Sequence, residues 1–307
     1  MDVDIPKEKF VIIGSDESKQ EFIGRPKISY MKDAWRRLKE NKTAMAALIM
    51  LCALIFLCVF GPAISGHAFE EINAQARNQG PSGANWFGTD RLGRDLFARV
   101  WIGGRVSVVI GISAALIASI IGTLYGGICA YFGGMVDVVL MRILEIFASV
   151  PQLIIVVILS IVLGNNSIGT ILIALSVASW VGPARLVRGQ MLQIRNQEFI
   201  LAAQVLGVSS RRIILRHMIP NTLSVVIVAI TFAVPGFIFA EAFLSFIGLG
   251  VQPPDTSWGA LVAMAQSQFR FFPYQMFFPA IMIALTMLSF TLFGDGLRDA
   301  LDPRLRK

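Results

Sequence analysis

Charge is scarce in this chain. Of 307 residues only 15% are charged, 55% are apolar, and the mean hydropathy is +0.67. A soluble domain of this size has too little polar surface to cover so much apolar side chain, so the solvent for most of the chain is lipid. Histidine is nearly absent: His67 and His217 stand apart, with no company at metal-ligand spacing, so no metal is expected. Cys52, Cys58 and Cys129 fall inside apolar runs without CxxC spacing and read as small apolar residues. HExxH, GxSxG and a buried Asp pair are all missing, which leaves an intramembrane enzyme without candidate catalytic groups. The one phosphate-loop look-alike, at 164–170, lacks the lysine that would reach the phosphates. There is no repeat and no low-complexity tract. Clusters of Asp, Glu or His at mid-membrane, which an ion- or proton-coupled secondary transporter would need, are missing as well. Glu145 and Glu241 are the acidic residues in apolar runs, and both lie near the ends.

What is present is a series of long apolar runs. A membrane helix needs about 20 mostly apolar residues, and the runs 44–64, 106–130, 143–163, 168–187, 222–243 and 276–293 meet or approach that length. The chain therefore reads as an all-α membrane protein with six transmembrane helices, the third and fourth joined as a tight hairpin through 164–167. The N-terminus does not look like a cleaved signal, because its first apolar run begins only at Ala44. With both termini inside, 21 of the 27 Lys and Arg fall on inner segments, which predicts N-in, C-in. The net charge of +7 then concerns orientation and anionic headgroups, and gives no reason to expect nucleic acid.

Around these spans the chain divides into 1–28, a flexible cytosolic tail; 29–43, an interfacial amphipathic helix; 44–64, the first span; 65–105, an extracytoplasmic segment; 106–296, the transmembrane core; and 297–307, a second cytosolic tail. In 29–43, Met31, Ala34, Trp35 and Leu38 recur at helical spacing among Lys32, Arg36, Arg37 and Lys39, with Ser29 as a cap and Trp35 as a headgroup anchor. In 65–105, Thr89 or Asp90 is expected to cap a helix running towards Trp101. Asp90 and Asp95 are expected to pair with nearby arginines, and Arg99 and Arg105 to flank an interfacial helix. Gly111, Ala115, Ala118, Gly122 and Gly126 lie on one face of the second span, a packing signal that lets another helix approach closely. Pro151, Pro183 and Pro235 predict kinks. Glu145 is expected to pair with Arg142, and Glu241 to be an outer-interface carboxylate facing water or a helix N–H.

The segment to weigh most is 188–221, between the fourth and fifth spans. Asn196 is expected to cap a helix, Glu198 to favour its positive end, and Phe199, Ala202, Ala203, Val205 and Leu206 to make it apolar. Gly207 is a natural C-terminal stop. Ser209 or Ser210 then starts a second short helix through Arg211, Arg212, Ile214 and Leu215, which Pro220-Asn221 ends. Such a helix–turn–helix is too short for a domain and too structured for a connection, so it should dock into something.

Ala202-Ala203-Gln-Val-Leu-Gly207, with Pro220 following, resembles the cytosolic loop of ABC importer permeases, departing from it at Leu201, His217 and Ile219. Phe87-Gly-Thr-Asp-Arg-Leu-Gly-Arg-Asp95, Tyr131-Phe-Gly-Gly134 with Asp137, Phe246-Ile-Gly-Leu-Gly250 through Gln252-Pro-Pro254 to Trp258-Gly259, and Gly294-Asp-Gly-Leu-Arg-Asp-Ala-Leu-Asp-Pro303 all resemble dipeptide and oligopeptide permeases, of the second, C-type subunit. The resemblance spans roughly 30–305. It implies type I ABC importer architecture with a cytosolic coupling helix, in a bacterial or archaeal cytoplasmic membrane. It implies that Glu198, Ala202, Ala203, Gly207, Val208, Arg211, Arg212, Leu215 and Pro220 couple to an ATPase. Its partners are a second permease subunit, two cytosolic ATPase subunits that hold ATP and Mg, an extracytoplasmic solute-binding protein and a peptide cargo. Nickel, glutathione or another small solute is the alternative cargo within the same architecture.

Overall fold

The computed structural model describes residues 30–164 and 167–302. The tail 1–28, the cap Ser29, Asn165 and Asn166 of the phosphate-loop look-alike, and the end of the second tail lie outside those residues. Regular structure among the described residues is helical, apart from one isolated bridge between Thr89 and Asp95. The helices are α1 (Tyr30–Glu40), α2 (Lys42–Ser65), α3 (Leu96–Phe132), α4 (Gly134–Ser149), α5 (Gln152–Val162), α6 (Ile168–Ser179), α7 (Val181–Arg195), α8 (Glu198–Val205), α9 (Ser210–Arg212), α10 (Ile219–Phe246), α11 (Trp258–Gln266) and α12 (Tyr274–Leu301). Four stretches are long and apolar enough to cross a membrane alone: α2, α3, α12 and the continuous helix Ser210–Phe246. The pairs α4 + α5 and α6 + α7 pass the same test together, which gives six crossings if each bent pair is one span.

The bends revise two expected spans. The run 143–163 is not one helix, because α4 and α5 meet at 82°. Proline disfavours the helical conformation in the residue before it; Val150, with φ −90° and ψ 127°, is extended, and Pro151 restarts the chain. The run 168–187 bends by 43° between α6 and α7. There Pro183 has no N–H to return to the Ser179 carbonyl, and its ring crowds that oxygen.

Helix α3 is the spine. Its 37 residues extend about 55 Å at 1.5 Å each, well beyond a hydrocarbon core of about 30 Å. Neither Thr89 nor Asp90 caps it: Asp95 does, accepting the Ala98 N–H at 2.8 Å. Asp90 is committed within the loop, where it accepts the Leu92 and Arg94 N–H groups and pairs with Arg94 Nε at 2.7 Å. The Thr89 hydroxyl is held by the Ala76 carbonyl.

The two arginines expected at an interface are structural. Arg99 is 1% exposed, with Nε 3.6 Å from Asp90 and donors directed at Phe69 O and Thr256 Oγ1. Arg105 donates to the Cys58 and Val59 carbonyls at 3.2 and 3.1 Å. Pro62, inside α2, cannot donate to Cys58 O, so the guanidinium satisfies a carbonyl that lipid could not.

The small-residue face of α3 packs as expected. A Cβ on Gly111 would strike Ile238 of α10, one on Gly122 would strike Pro183 and Ala184, and one on Gly126 would overlap the Ala184 carbonyl. These contacts press α3 onto α7 and α10 around a core that includes Ile110, Ala114, Ala118, Ile171, Leu175 and Ile238. At one end of the bundle, α1 lies on α12: Leu38, Ala44 and Ala300 pack together, and Asp33 pairs with Arg36 and Arg37 at 2.8 and 2.9 Å. On α1, Ala34 and Leu38 face inward while Met31 and Trp35 are exposed. At the other end, the folded loop between α2 and α3 meets the start of α12, where Gln275 donates to Thr89 O at 2.9 Å.

Candidate functional site

Three features stand out, one at each end of the bundle and one between. At the first end, α7 turns into α8. Asn196 is the C-cap of α7 with φ −92° and ψ 7°, so it does not cap α8; Gln197 stands there without a side-chain bond. A bridge-region backbone cannot serve as an N-cap, which requires an extended residue. Gly207 ends α8 with φ +74°. Its N–H donates to Gln204 O and the Val208 N–H to Ala203 O, both at 3.0 Å. This is the paired closure that a left-handed glycine permits, and Val208 packs beside Ala203 as the accompanying apolar contact.

The expected second short helix does not end at Pro220. Ser210–Phe246 is one continuous helix, with a π-helical stretch at Ile213–Met218 and Pro220 in the first turn of α10. Widening the turn accommodates the missing N–H and the ring, and Asn221 Nδ2 covers His217 O at 2.6 Å.

The structure divides the nine sequence-derived residues. Glu198, Ala202, Gly207, Arg211, Arg212, Leu215 and Pro220 are exposed; Ala203 is buried and Val208 half-buried. Ala203 and Val208 therefore anchor the elbow against Ile200, Ile213, Met218 and Met191. The most exposed apolar side chains of the elbow are Val205 and Leu206, at 88% and 81%. They were legible as apolar residues in a charged loop, but only the backbone places them at the tip.

Midway along the bundle, a cavity of about 330 Å³ opens where the two bent pairs face α3 and α10. Ala118 and Ser119 of α3, Gln152 of α5, Ser179 of α6, Pro183 of α7 and Phe237 of α10 line it, and no lining residue is charged. Gln152 Nε2 donates to Ser179 Oγ at 2.7 Å, which ties the start of α5 to the end of α6. Prolines in apolar runs signalled the bends; that both bends share one cavity was not readable from them.

At the far end, Glu241 is fully buried at 0% exposure, which overturns the expected outer-interface carboxylate. Its Oε2 accepts from Ser107 Oγ at 2.9 Å and its Oε1 from Ser245 Oγ at 2.8 Å. Ser107 Oγ also accepts the Trp258 N–H, while Ser257 Oγ lies 3.4 Å from Ser245 Oγ and caps α11 through Ala260 N–H. Trp258 is itself fully buried and donates its indole N–H to Val100 O at 2.8 Å. The carboxylate is thus the hub joining α3, α10 and the start of α11, its need for donors met by hydroxyls. Glu145, by contrast, pairs with Arg142 at 2.9 Å on an exposed face, as expected. Asp137, in the Tyr131–Gly134 neighbourhood, receives the Arg188 fork at 2.6 and 2.5 Å, hooking α4 to α7. Among the described residues no group of His, Cys, Asp and Glu is arranged to hold a metal.

Comparison with known proteins gives this geometry a lineage. Residues 108–307 match the family described as "Binding-protein-dependent transport system inner membrane component", and residues 29–81 match "N-terminal TM domain of oligopeptide transport permease C". The chain is 46% identical over 308 residues to the dipeptide transport system permease protein DppC of Bacillus subtilis (strain 168), covering 99% of this chain and 95% of that protein. It is 42% identical to the oligopeptide transport system permease protein OppC of the same organism, over 99% of both chains. It is 45% identical to OppC of Haemophilus influenzae, over 91% and 90%. A solved chain of the MetNI methionine ABC transporter in an inward-facing conformation shares the fold, with a TM-score of 0.50 at 19% identity over 67% of this chain and 96% of that one. This multi-pass membrane protein belongs to the binding-protein-dependent transport system inner membrane component family.

Proposed function

We propose that the chain is one of two permease subunits of an ATP-driven importer of dipeptides or oligopeptides, and that the elbow from Glu198 to Pro220 is gripped by a cytosolic ATPase subunit. The observation that carries this reading is the tip of the elbow. Val205 and Leu206 stand 88% and 81% exposed in a segment whose other exposed residues include Glu198, Arg211 and Arg212. Apolar side chains presented so fully among charges suit a partner's groove. Behind the tip, α9 runs without a break through Ile213–Met218 into α10, and α7 is hooked to α4 through Arg188 and Asp137. A push on the tip would therefore reach both bent pairs and α10 through packed helices.

In this reading both termini and the elbow are cytosolic, as the distribution of Lys and Arg supports. The chain performs no catalysis; ATP and Mg²⁺ are held by two ATPase subunits. A second permease subunit faces the groove of about 330 Å³, and a solute-binding protein delivers cargo to the opposite end. Peptide as cargo rests on the relatives, which are dipeptide and oligopeptide permeases matched over nearly their whole length.

The test is uptake of a radiolabelled dipeptide by proteoliposomes holding the reconstituted complex and its binding protein. Uptake should require ATP inside the vesicle's cytosolic compartment and survive collapse of the membrane potential. Uptake driven by the potential without ATP would replace this account with a secondary transporter.

A further inference from the structure

We propose that Gln152, Ser179 and Ser119 form a charge-free hydrogen-bonding subsite in which a passing peptide is held by its backbone amides. The proposal rests on the peptide-import reading above and assigns that function a place in the molecule.

Irregular backbone at membrane depth persists only where protein covers it or where it lines a polar cavity. Two such breaks lie here, after Ser149 and at Trp180, and Gln152 and Ser179 from their edges meet at 2.7 Å across one cavity. That bond uses one N–H of Gln152, whose Oε1 has no partner among the described residues; Ser179 Oγ in turn donates to Leu175 O at 2.6 Å and takes part as an acceptor only. Ser119 is 2% exposed, lines the same cavity, and likewise has no hydrogen bond there. Its hydroxyl opens onto the cavity instead of being sealed away without a partner, and so can donate to or accept from whatever enters. Pro183, in the same wall, returns no N–H to the Ser179 carbonyl and so leaves a backbone acceptor beside the hydroxyl.

The rest of the wall is Ala118, Phe237 and neighbouring small residues. About 330 Å³ is within the range of small-ligand sites, roughly 300 to 1,000 Å³. A surface with hydroxyl, carboxamide and carbonyl groups but no charge can pair with the alternating N–H and C=O of any peptide. It gives no preference to acidic or basic side chains, so cargo passes whatever its side-chain charge.

Two measurements on the assembled complex with its binding protein test this. In a background of Cys52→Ser, Cys58→Ala and Cys129→Ala, Gln152→Cys should react with a membrane-impermeant cationic methanethiosulfonate, and transported peptide should slow that reaction. Separately, Gln152→Glu is nearly isosteric and places a carboxylate in the groove. It should shift the uptake ratio of a lysine-containing over a glutamate-containing dipeptide by about tenfold relative to wild type, comparable to the net worth of one hydrogen bond or charge contact. A Gln152→Cys thiol inert to the aqueous reagent would overturn the subsite by showing that the groove faces lipid or protein. So would an unchanged ratio in Gln152→Glu, with wild-type peptide uptake intact. If wild type itself takes up no peptide with ATP, the import reading fails instead, and the two failures are told apart by that control. Should Gln152→Glu not assemble, the labelling and its protection decide alone.

Discussion

Gly207 offers the sharpest separation of backbone from packing. Its φ of +74° suits glycine, whereas L-residues other than Asn and Asp are strained there by about 1–2 kcal/mol, and a β-branched residue by more. A Cβ built there meets nothing within 4 Å, so substitution adds strain without collision. The strain acts on a turn closed by the Gly207 and Val208 N–H groups, each 3.0 Å from its acceptor. A penalty of 1–2 kcal/mol lowers the population of that turn by roughly 5- to 30-fold, enough to disorganise the elbow and too little to unfold the bundle. Gly207→Val should therefore yield a membrane-inserted protein at normal amounts whose complex has lost most ATP-dependent uptake. Gly207→Asn, which tolerates the left-handed region, should keep most of it, and Gly207→Ala should fall between. The assay is dipeptide uptake by proteoliposomes normalised to assembled complex. Equal uptake by the Val and Asn variants would refute the reasoning, because neither side chain meets a neighbour at its Cβ and the two differ in how well they tolerate the left-handed region.

Other expectations concern the supports of the site. Glu241→Gln keeps an acceptor and adds donors that the three serine hydroxyls can turn to meet, so the purified complex should lose little thermal stability. Glu241→Leu leaves buried hydroxyls unpaired at about 1–3 kcal/mol each and should lower the midpoint clearly; a wild-type midpoint for the Leu variant would contradict the hub. For the hook between α4 and α7, Asp137→Ala and Arg188→Ala should show a coupling of about 1 kcal/mol in a double-mutant cycle. Arg188→Lys should not restore it, since a single ammonium cannot make the fork. Gly126→Val should reduce folded, inserted protein by driving α3 off the Ala184 carbonyl; fluorescence size-exclusion of tagged protein would show undiminished yield if that contact is unimportant.

Much of the fold was legible because the bilayer imposes one length scale on apolar runs. Helices α2, α3, α10 and α12 each contain an expected span, but each runs past it, since hydropathy marks where lipid begins and not where hydrogen bonding stops. Asp95 starts α3 well before the apolar run, and the π-helical stretch at Ile213–Met218 carries the helix across Pro220. The bends at Pro151 and Pro183 were expected as kinks, yet their angles and shared cavity depend on distant packing. For the elbow, Gly207 and its apolar residues were readable from local turn chemistry. Which residues face outward was not: Ile200 and Ala203 turn in against Met191, Ile213 and Met218, partners distant in sequence, and Val205 and Leu206 are left facing out. Glu241 and Arg99 were misplaced for one reason. A charged residue near the end of an apolar run suggests water, whereas here loops and α11 fold back to cover both, with partners far apart in sequence such as Ser107 and Thr256.

The central claim is that a separate ATPase grips the elbow, and one cross-linking measurement addresses it directly. Leu206→Cys, in the background of Cys52→Ser, Cys58→Ala and Cys129→Ala, would carry a short photoactivatable cross-linker in the purified, transport-competent complex. The account predicts an adduct whose mass adds one ATPase subunit, its yield changing between the nucleotide-free and ATP-bound states. An adduct with the solute-binding protein or with lipid alone, obtained while the ATPase co-purifies, would contradict it.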